Sequence, residues 1–271
     1  MHIEQLPARA GWQWVLKGFA LVRRQPLPIL SLTFLYLMML TAPSIIPSIG
    51  GLLPLLLTPL LAVGLMTAML AVEQGRAALP RLLIQAFYTD GGKAWKPLLI
   101  LGGLNLTITL GTILIASIAD NGTLMRMMTG HLERDDPGLG EVDLLVAAAL
   151  FLTLYTPVQM ALWFSPLFVA WHRVPPIKAM FFSLIAVWRN RAPFMVYSIS
   201  WLAIAVVLSM AIQLIIRLFD PSPLLLSIFL SPLSLTMLAA LYASSWVSYR
   251  ETVQTDTVAL DPIDRSPKDL A

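Results

Sequence analysis

The chain has 271 residues, of which 58% are hydrophobic and only 12% charged, with a mean hydropathy of +0.77. Soluble domains carry about 25% charged residues, so this composition excludes an ordinary soluble globular protein and points to an integral membrane protein. The absence of cysteine excludes disulfides, thiolate metal ligands and cysteine nucleophiles, and a net charge of +3 is small enough that its placement matters more than its sum.

The first 26 residues mix polar and aromatic side chains. Within them Trp12, Val15, Leu16, Phe19 and Val22 fall on one helical face, and Arg9, Gln13, Lys17 and Arg24 on the other. That is the pattern of an amphipathic helix lying in the membrane interface. The first long apolar run ends at "TAPSIIPS", where the prolines argue against a signal-peptide cleavage site, so it reads as a retained span. A span needs roughly 20 apolar residues to cross about 30 Å of hydrocarbon. Six runs qualify, at 27–47, 52–72, 97–119, 143–170, 193–216 and 223–247.

Between the second and third runs, Arg81, Gln85, Thr89 and Lys93 recur every four residues, and Gly91-Gly92 would weaken that helix near its end. The loop 120–143 carries Asp120, Glu133, Asp135, Asp136, Glu141 and Asp143. Its stretch "HLERDD" is oxygen-rich, as divalent-cation loops are, but matches no EF-hand spacing and reads as a solvated acidic loop. Before the fifth run, Ile177, Phe181, Leu184 and Trp188 make an apolar stripe with a narrow polar side. This helix is expected to tuck deeply against the spans. The acidic tail 251–271 is expected to be disordered.

Basic residues cluster on one side. Arg9, Lys17, Arg23 and Arg24 precede the first run. Arg76, Arg81, Lys93 and Lys96 follow the second, Arg173, Lys178, Arg189 and Arg191 the fourth, and Arg250, Arg265 and Lys268 the sixth. The opposite side has Arg126, Arg134 and Arg217. The positive-inside rule therefore predicts both termini in the cytoplasm and the acidic loop outside, in the periplasm if the cell is Gram-negative.

An internal pattern recurs in "WQWVLKGFALVRRQPLPIL" (12–30), "FYTDGGKAWKPLLIL" (87–101) and "FFSLIAVWRNRAPFMVYSI" (181–199): an aromatic, partly polar segment, basic residues, then Pro26, Pro97 or Pro193 and a span. The return spans share a Ser/Thr-Pro at Pro59, Pro157 and Pro232, and each reaches an arginine, Arg76, Arg173 or Arg250. The expected fold is all-α integral membrane, with six transmembrane helices and three membrane-parallel amphipathic helices. Residues 1–250 would form a single transmembrane domain of three parallel repeats, at about 9–76, 77–173 and 174–250, related by an axis along the membrane normal.

Chemistry is sparse. No ionisable residue lies at mid-span, which argues against a carboxylate proton relay or ion-coupled carrier. Asn105, Gln159 and Gln213 are the intramembrane polar candidates, either for helix–helix hydrogen bonds or for substrate contact. No Gly-rich phosphate loop, HExxH, GxSxG or dinucleotide fingerprint occurs. The reading is non-enzymatic, with no metal or cofactor. Basic residues that hug the membrane leave no nucleic-acid surface. Arg23, Arg24, Lys93, Lys96, Arg189, Asn190 and Arg191 form a candidate collar for anionic lipid headgroups, or else anchor the chain as positive-inside residues do in any such protein. Within that collar, Asn190 has a counterpart in Gln25 but none at "KAWKP", so it marks where the third copy departs from the pattern.

The stretch "WFSPLFVAWHRVPPIKAMFFSLIAVWRNRAPFMVY" (163–197) carries Trp163, Phe164, Pro166, Ala179, Ser183, Arg189 and Asn190. It resembles a family of uncharacterised bacterial six-span inner-membrane proteins. More distantly, it is similar to the multi-pass membrane domain found with some glycerophosphodiester phosphodiesterases. The resemblance implies location and architecture; it carries no established activity to transfer, and it leaves any protein partner unknown. The leading expectation is a non-enzymatic envelope or lipid-associated scaffold. The alternative is a small transporter or permease component with a midplane cavity, among proline-kinked helices, lined by Asn105, Gln159 or Gln213. A lipid-modifying enzyme would need polar residues clustered near His172 and Arg189.

Overall fold

A computed structural model describes residues 2–47, 50–88, 93–119, 141–219 and 222–254. The described helices are α1 (Ala10–Arg24), α2 (Pro26–Thr41), α3 (Leu53–Glu73), α4 (Trp95–Ala119), α5 (Glu141–Leu162), α6 (Ser165–His172), α7 (Pro176–Arg189), α8 (Arg191–Phe219) and α9 (Pro223–Thr252). A 3₁₀ segment, Pro80–Phe87, precedes α4. Six stretches are long and apolar enough to cross a membrane: Pro26–Ile45, Gly50–Glu73, Trp95–Ile118, Ala148–His172, Arg191–Phe219 and Leu224–Thr252. They are spans 1 to 6 below, and they agree with the expected runs. The fold is all-α and membrane-spanning. Prolines open α2, α7 and α9, where a missing N–H costs nothing and the fixed φ suits the first turn. The acidic loop and its "HLERDD" stretch lie outside the described residues.

Span 2 is the centre: 72% of its most apolar stretch is buried, against 0% for span 5. Packing runs from span 6 to span 1, 2, 3 and 4 in turn. Spans 4 and 5, and spans 5 and 6, touch only sparsely. Span 5 is held instead by α1.

The surface segments differ from expectation in which face they bury. In α1 the buried side chains are Trp14, Val15, Leu21 and Val22, while Trp12 and Leu16 are exposed. The helix does not simply float with one apolar face in lipid; it is wedged against spans 5 and 6. Gly18 lets the backbone of span 6 approach, since a Cβ there would lie 2.7 Å from the Ser244 nitrogen. In α7 the expectation is reversed. Ile177, Phe181 and Trp188 are exposed, and the small residues Ala179, Ser183 and Ala186 pack against span 4. Close helix contacts inside a membrane favour small side chains, and large apolar ones face lipid at no cost. In the 3₁₀ segment Leu82, Leu83 and Ala86 turn toward span 2, and Arg81 stays exposed.

The two ends of the described chain meet. His2–Ile3 pairs antiparallel with Val253–Gln254, and the Glu4 N–H donates to the Thr252 carbonyl at 3.0 Å. Glu251 and Thr252, placed in the tail by sequence, complete α9. Residues 255–271 lie outside the described residues. Beside this junction the Lys17 ammonium sits 2.6 Å from Glu251, which also accepts from the Trp14 indole at 2.9 Å. Glu73 of span 2 pairs with Arg250 and accepts from the Trp246 indole at 3.1 Å. These carboxylates tie α1, span 2 and span 6 together at the face that carries both ends.

Candidate functional site

Three of the polar candidates turn out to have different surroundings. Asn105 is buried in the seam between spans 2 and 3. Its Nδ2 donates to the Leu55 carbonyl at 2.9 Å, and its Oδ1 accepts from Thr109 at 3.3 Å. Leu55 lies four residues before Pro59, which has no N–H to return to that carbonyl. Asn105 thus satisfies the one backbone acceptor that the proline leaves open. Gly102, a turn earlier, lies flat on the same helix: a Cβ there would be 2.0 Å from the Leu56 oxygen. Gln159 and Gln213 are both exposed and line separate lateral grooves. The three amides do not converge on one midplane cavity.

The residues at 163–190 serve the architecture. Span 4 stops at Leu162 and restarts at Ser165, because Pro166 cannot bond the Leu162 carbonyl. The Ser165 hydroxyl donates to that carbonyl at 3.3 Å. Across the same break, the Ser183 hydroxyl accepts from the Phe164 N–H at 2.9 Å and donates to the Met160 carbonyl at 2.8 Å. A hydroxyl from α7 has been inserted into an i→i−4 bond of span 4. The interruption falls here; the helices continue through Pro59, Pro157 and Pro232. Trp163 donates to Ser248 at 3.3 Å and stands edge-on to Phe194 and Tyr197.

Asn190 is buried, at 1% exposure, in the one-residue junction between α7 and α8. Its Oδ1 accepts from the Leu6 N–H, and its Nδ2 donates to the Glu4 carbonyl, both at 2.9 Å. Its side chain therefore grips the lead-in to α1. Gln25, in the junction between α1 and α2, makes the same pair of bonds elsewhere: its Nε2 donates to the Arg76 carbonyl at 2.8 Å, and its Oε1 accepts from Ala78 at 3.2 Å. Asn190 is thus not a departure from the pattern of the first segment but its match. Sequence gave no sign of this bond pair, since the partners are 184 and 186 residues away.

The remaining collar candidates lie on the face that carries both ends. Arg23, Lys93, Arg189 and Arg191 are exposed. Arg24 reaches the Glu73 carbonyl at 3.5 Å, and Lys96 lies 5.7 Å over the Trp95 ring. His172 shares a 2.8 Å hydrogen bond with the Tyr249 hydroxyl inside an aromatic cluster of Phe168, Trp171 and Trp246. A further pair that sequence did not single out is Tyr36 and Tyr242, whose hydroxyls meet at 2.5 Å and bolt span 1 to span 6.

The two open flanks of span 5 are grooves. One, of about 440 Å³, lies between span 4 and the first turns of span 5, with Arg191 at its mouth and Gln159 and Ser198 on its walls. The other, of about 500 Å³, lies between spans 5 and 6 and includes Trp201, Gln213 and Ser234. Among the described residues, no group of three or more His, Asp or Glu side chains is placed to hold a metal.

No family model and no solved structure matches the chain. A probable inner membrane protein of Burkholderia thailandensis is 36% identical over 253 residues, covering 92% of this chain and 93% of that one. That relative's name carries no enzymatic activity, and the alignment spans most of both chains. The chain belongs to the same family of multi-pass inner-membrane proteins.

Proposed function

We propose that the protein is a non-catalytic, lipid-associated scaffold of the inner membrane, with both ends in the cytoplasm, and that its basic face gathers anionic lipid. One observation carries this reading. On that face Glu4, Glu73 and Glu251 are all bonded within the protein. Arg9, Arg23, Lys93, Lys178, Arg189 and Arg191, by contrast, are exposed, and their side chains make no hydrogen bond or ion pair among the described residues. Among the described residues, the anions of this face are engaged within the protein and the surplus is cationic. Exposed Trp12, Trp188 and Phe181 lie among these cations, as interfacial aromatics do. Each such cation near an anionic surface is worth about 1 kcal/mol.

The test is thermal unfolding after reconstitution. Nanodiscs containing phosphatidylglycerol should raise the midpoint over pure phosphatidylcholine, and the gain should shrink with salt. Equal midpoints in the two lipids would remove the proposal. A second reading, a permease component, draws on Gln159 and Gln213 in their grooves. It requires alternate access, so a Gln213→Cys variant of this cysteine-free chain should label from both sides of the membrane.

A further inference from the structure

Span 5 departs from the packing that holds the other spans. Its first two turns are locked: Pro193, Phe194 and Tyr197 are buried, Trp14 and Trp163 stand edge-on to Phe194 and Tyr197, and the Tyr197 hydroxyl meets Ser244 at 2.9 Å. Yet span 5 makes only sparse contact with span 4, where spans 2 and 3 or 3 and 4 lie in broad contact. The seam is propped open at the terminal face by this aromatic knot and by Val187 of α7.

The chemistry of the seam is layered. Arg191 stands at the rim, exposed and unpaired among the described residues. Trp163 is level with Phe194 and Tyr197, so Gln159, one turn deeper in span 4, faces the level of Ser198. Neither the Gln159 amide nor the Ser198 hydroxyl has a hydrogen bond among the described residues. Such groups are costly to leave unmet at hydrocarbon depth. The remaining walls are mostly apolar, with Tyr155 and Thr156 among them, and the Thr156 hydroxyl is spent on the Leu152 carbonyl at 2.6 Å. From Arg191 to Ile199 the groove runs about 12 Å, close to one leaflet's share of the hydrocarbon.

We propose that this seam is a site for one anionic phospholipid of the leaflet at the terminal face. The headgroup phosphate meets the Arg191 guanidinium, whose planar fork suits two phosphate oxygens. The ester carbonyls accept from Gln159 and Ser198, and one acyl chain fills the groove. A volume of about 440 Å³ lies within the usual range for ligand pockets. The lipid takes the place that a neighbouring span takes in the closed seams. This site rests on the lipid-associated reading above, but the two fail differently: that reading is a property of many basic residues, and this one of Arg191 and the groove.

The experiment is native mass spectrometry of the full chain released from nanodiscs of mostly phosphatidylcholine with a minor share of phosphatidylglycerol. One phosphatidylglycerol should stay bound per chain, enriched over its share. Arg191→Ala should cut that enrichment about fivefold, which is what about 1 kcal/mol per basic residue converts to. Arg191→Lys should restore only part of it, and Arg189→Ala should leave it intact. Ser198→Trp, which fills the groove without touching the rim, should abolish retention while the unfolding midpoint holds. Equal losses from Arg189→Ala and Arg191→Ala would overturn the site and leave the general collar standing. Retention that survives Ser198→Trp would also overturn it. So would a disulfide-linked dimer from Met195→Cys in the bilayer, because the groove wall would then face a second copy.

Discussion

The seam between spans 2 and 3 and the seam between spans 4 and 5 are opposite solutions to the same problem. In the first, a glycine lays one backbone on the next, and an amide meets the carbonyl that Pro59 leaves open. In the second, Gln159 and Ser198 face an open lateral groove, and contact is made at one end only. Span 5 is as apolar as spans 2 and 3, and the less apolar span 4 packs broadly against span 3 yet only sparsely against span 5, so hydrophobicity does not decide which seam closes. Lipid tails are as apolar as leucine, and closure inside a bilayer depends on small residues and on hydrogen bonds that find partners.

Substitutions can break this contrast, starting where the backbones are nearest. Gly102→Leu should cost about 3 kcal/mol, the upper end for overpacking, because the Leu56 carbonyl cannot yield; unfolding in detergent measures it, and an unchanged midpoint would mean the seam is looser than described. Asn190→Ala should cost about 2 kcal/mol by stranding the Leu6 N–H and Glu4 carbonyl. Hydrogen exchange should then rise at residues 4–8 and nowhere in the spans, and Gln25→Ala should do the same for residues 76–78. Asn105→Leu should cost about 1 kcal/mol, and much less in a Pro59→Ala background, where the new N–H can bond Leu55 itself. A double-mutant cycle reads this directly, and additivity would refute the pairing. Tyr242→Phe should cost about 0.6 kcal/mol by unbolting Tyr36. On the open side, Ser198→Trp should leave stability unchanged.

The spans were legible in sequence because a run of apolar residues long enough to cross hydrocarbon has few other uses. The packing face of each surface helix was not. Periodicity found the large apolar stripe of Ile177, Phe181 and Trp188, but periodicity does not distinguish a side chain facing lipid from one facing protein, and here the small residues pack. Asn190 reads locally as part of the basic collar, and the fold gives it another role. Its neighbours Arg189 and Arg191 suggested a headgroup contact, while its partners belong to the first residues of the chain. Ser183 stood in the recognised motif, but its insertion into the break at Phe164 depends on a fold-back that no local pattern encodes. Gln159 was named as an intramembrane amide, and sequence gave no means of telling its open seam from the closed one around Asn105.

The grip of Asn190 on Glu4 and Leu6, with α1 wedged against spans 5 and 6, bears on the order in which the chain assembles. The seat for α1 is made of residues translated some two hundred positions later. Spans 1 to 4 can insert and pack while α1 is still waiting at the membrane surface. Contacts so distant in sequence form slowly, because the intervening chain must first be placed. Until they form, Trp14 and the Lys17–Glu251 pair have nowhere to go, and a chain arrested before span 5 would leave the basic, aromatic face of α1 displayed at the membrane surface.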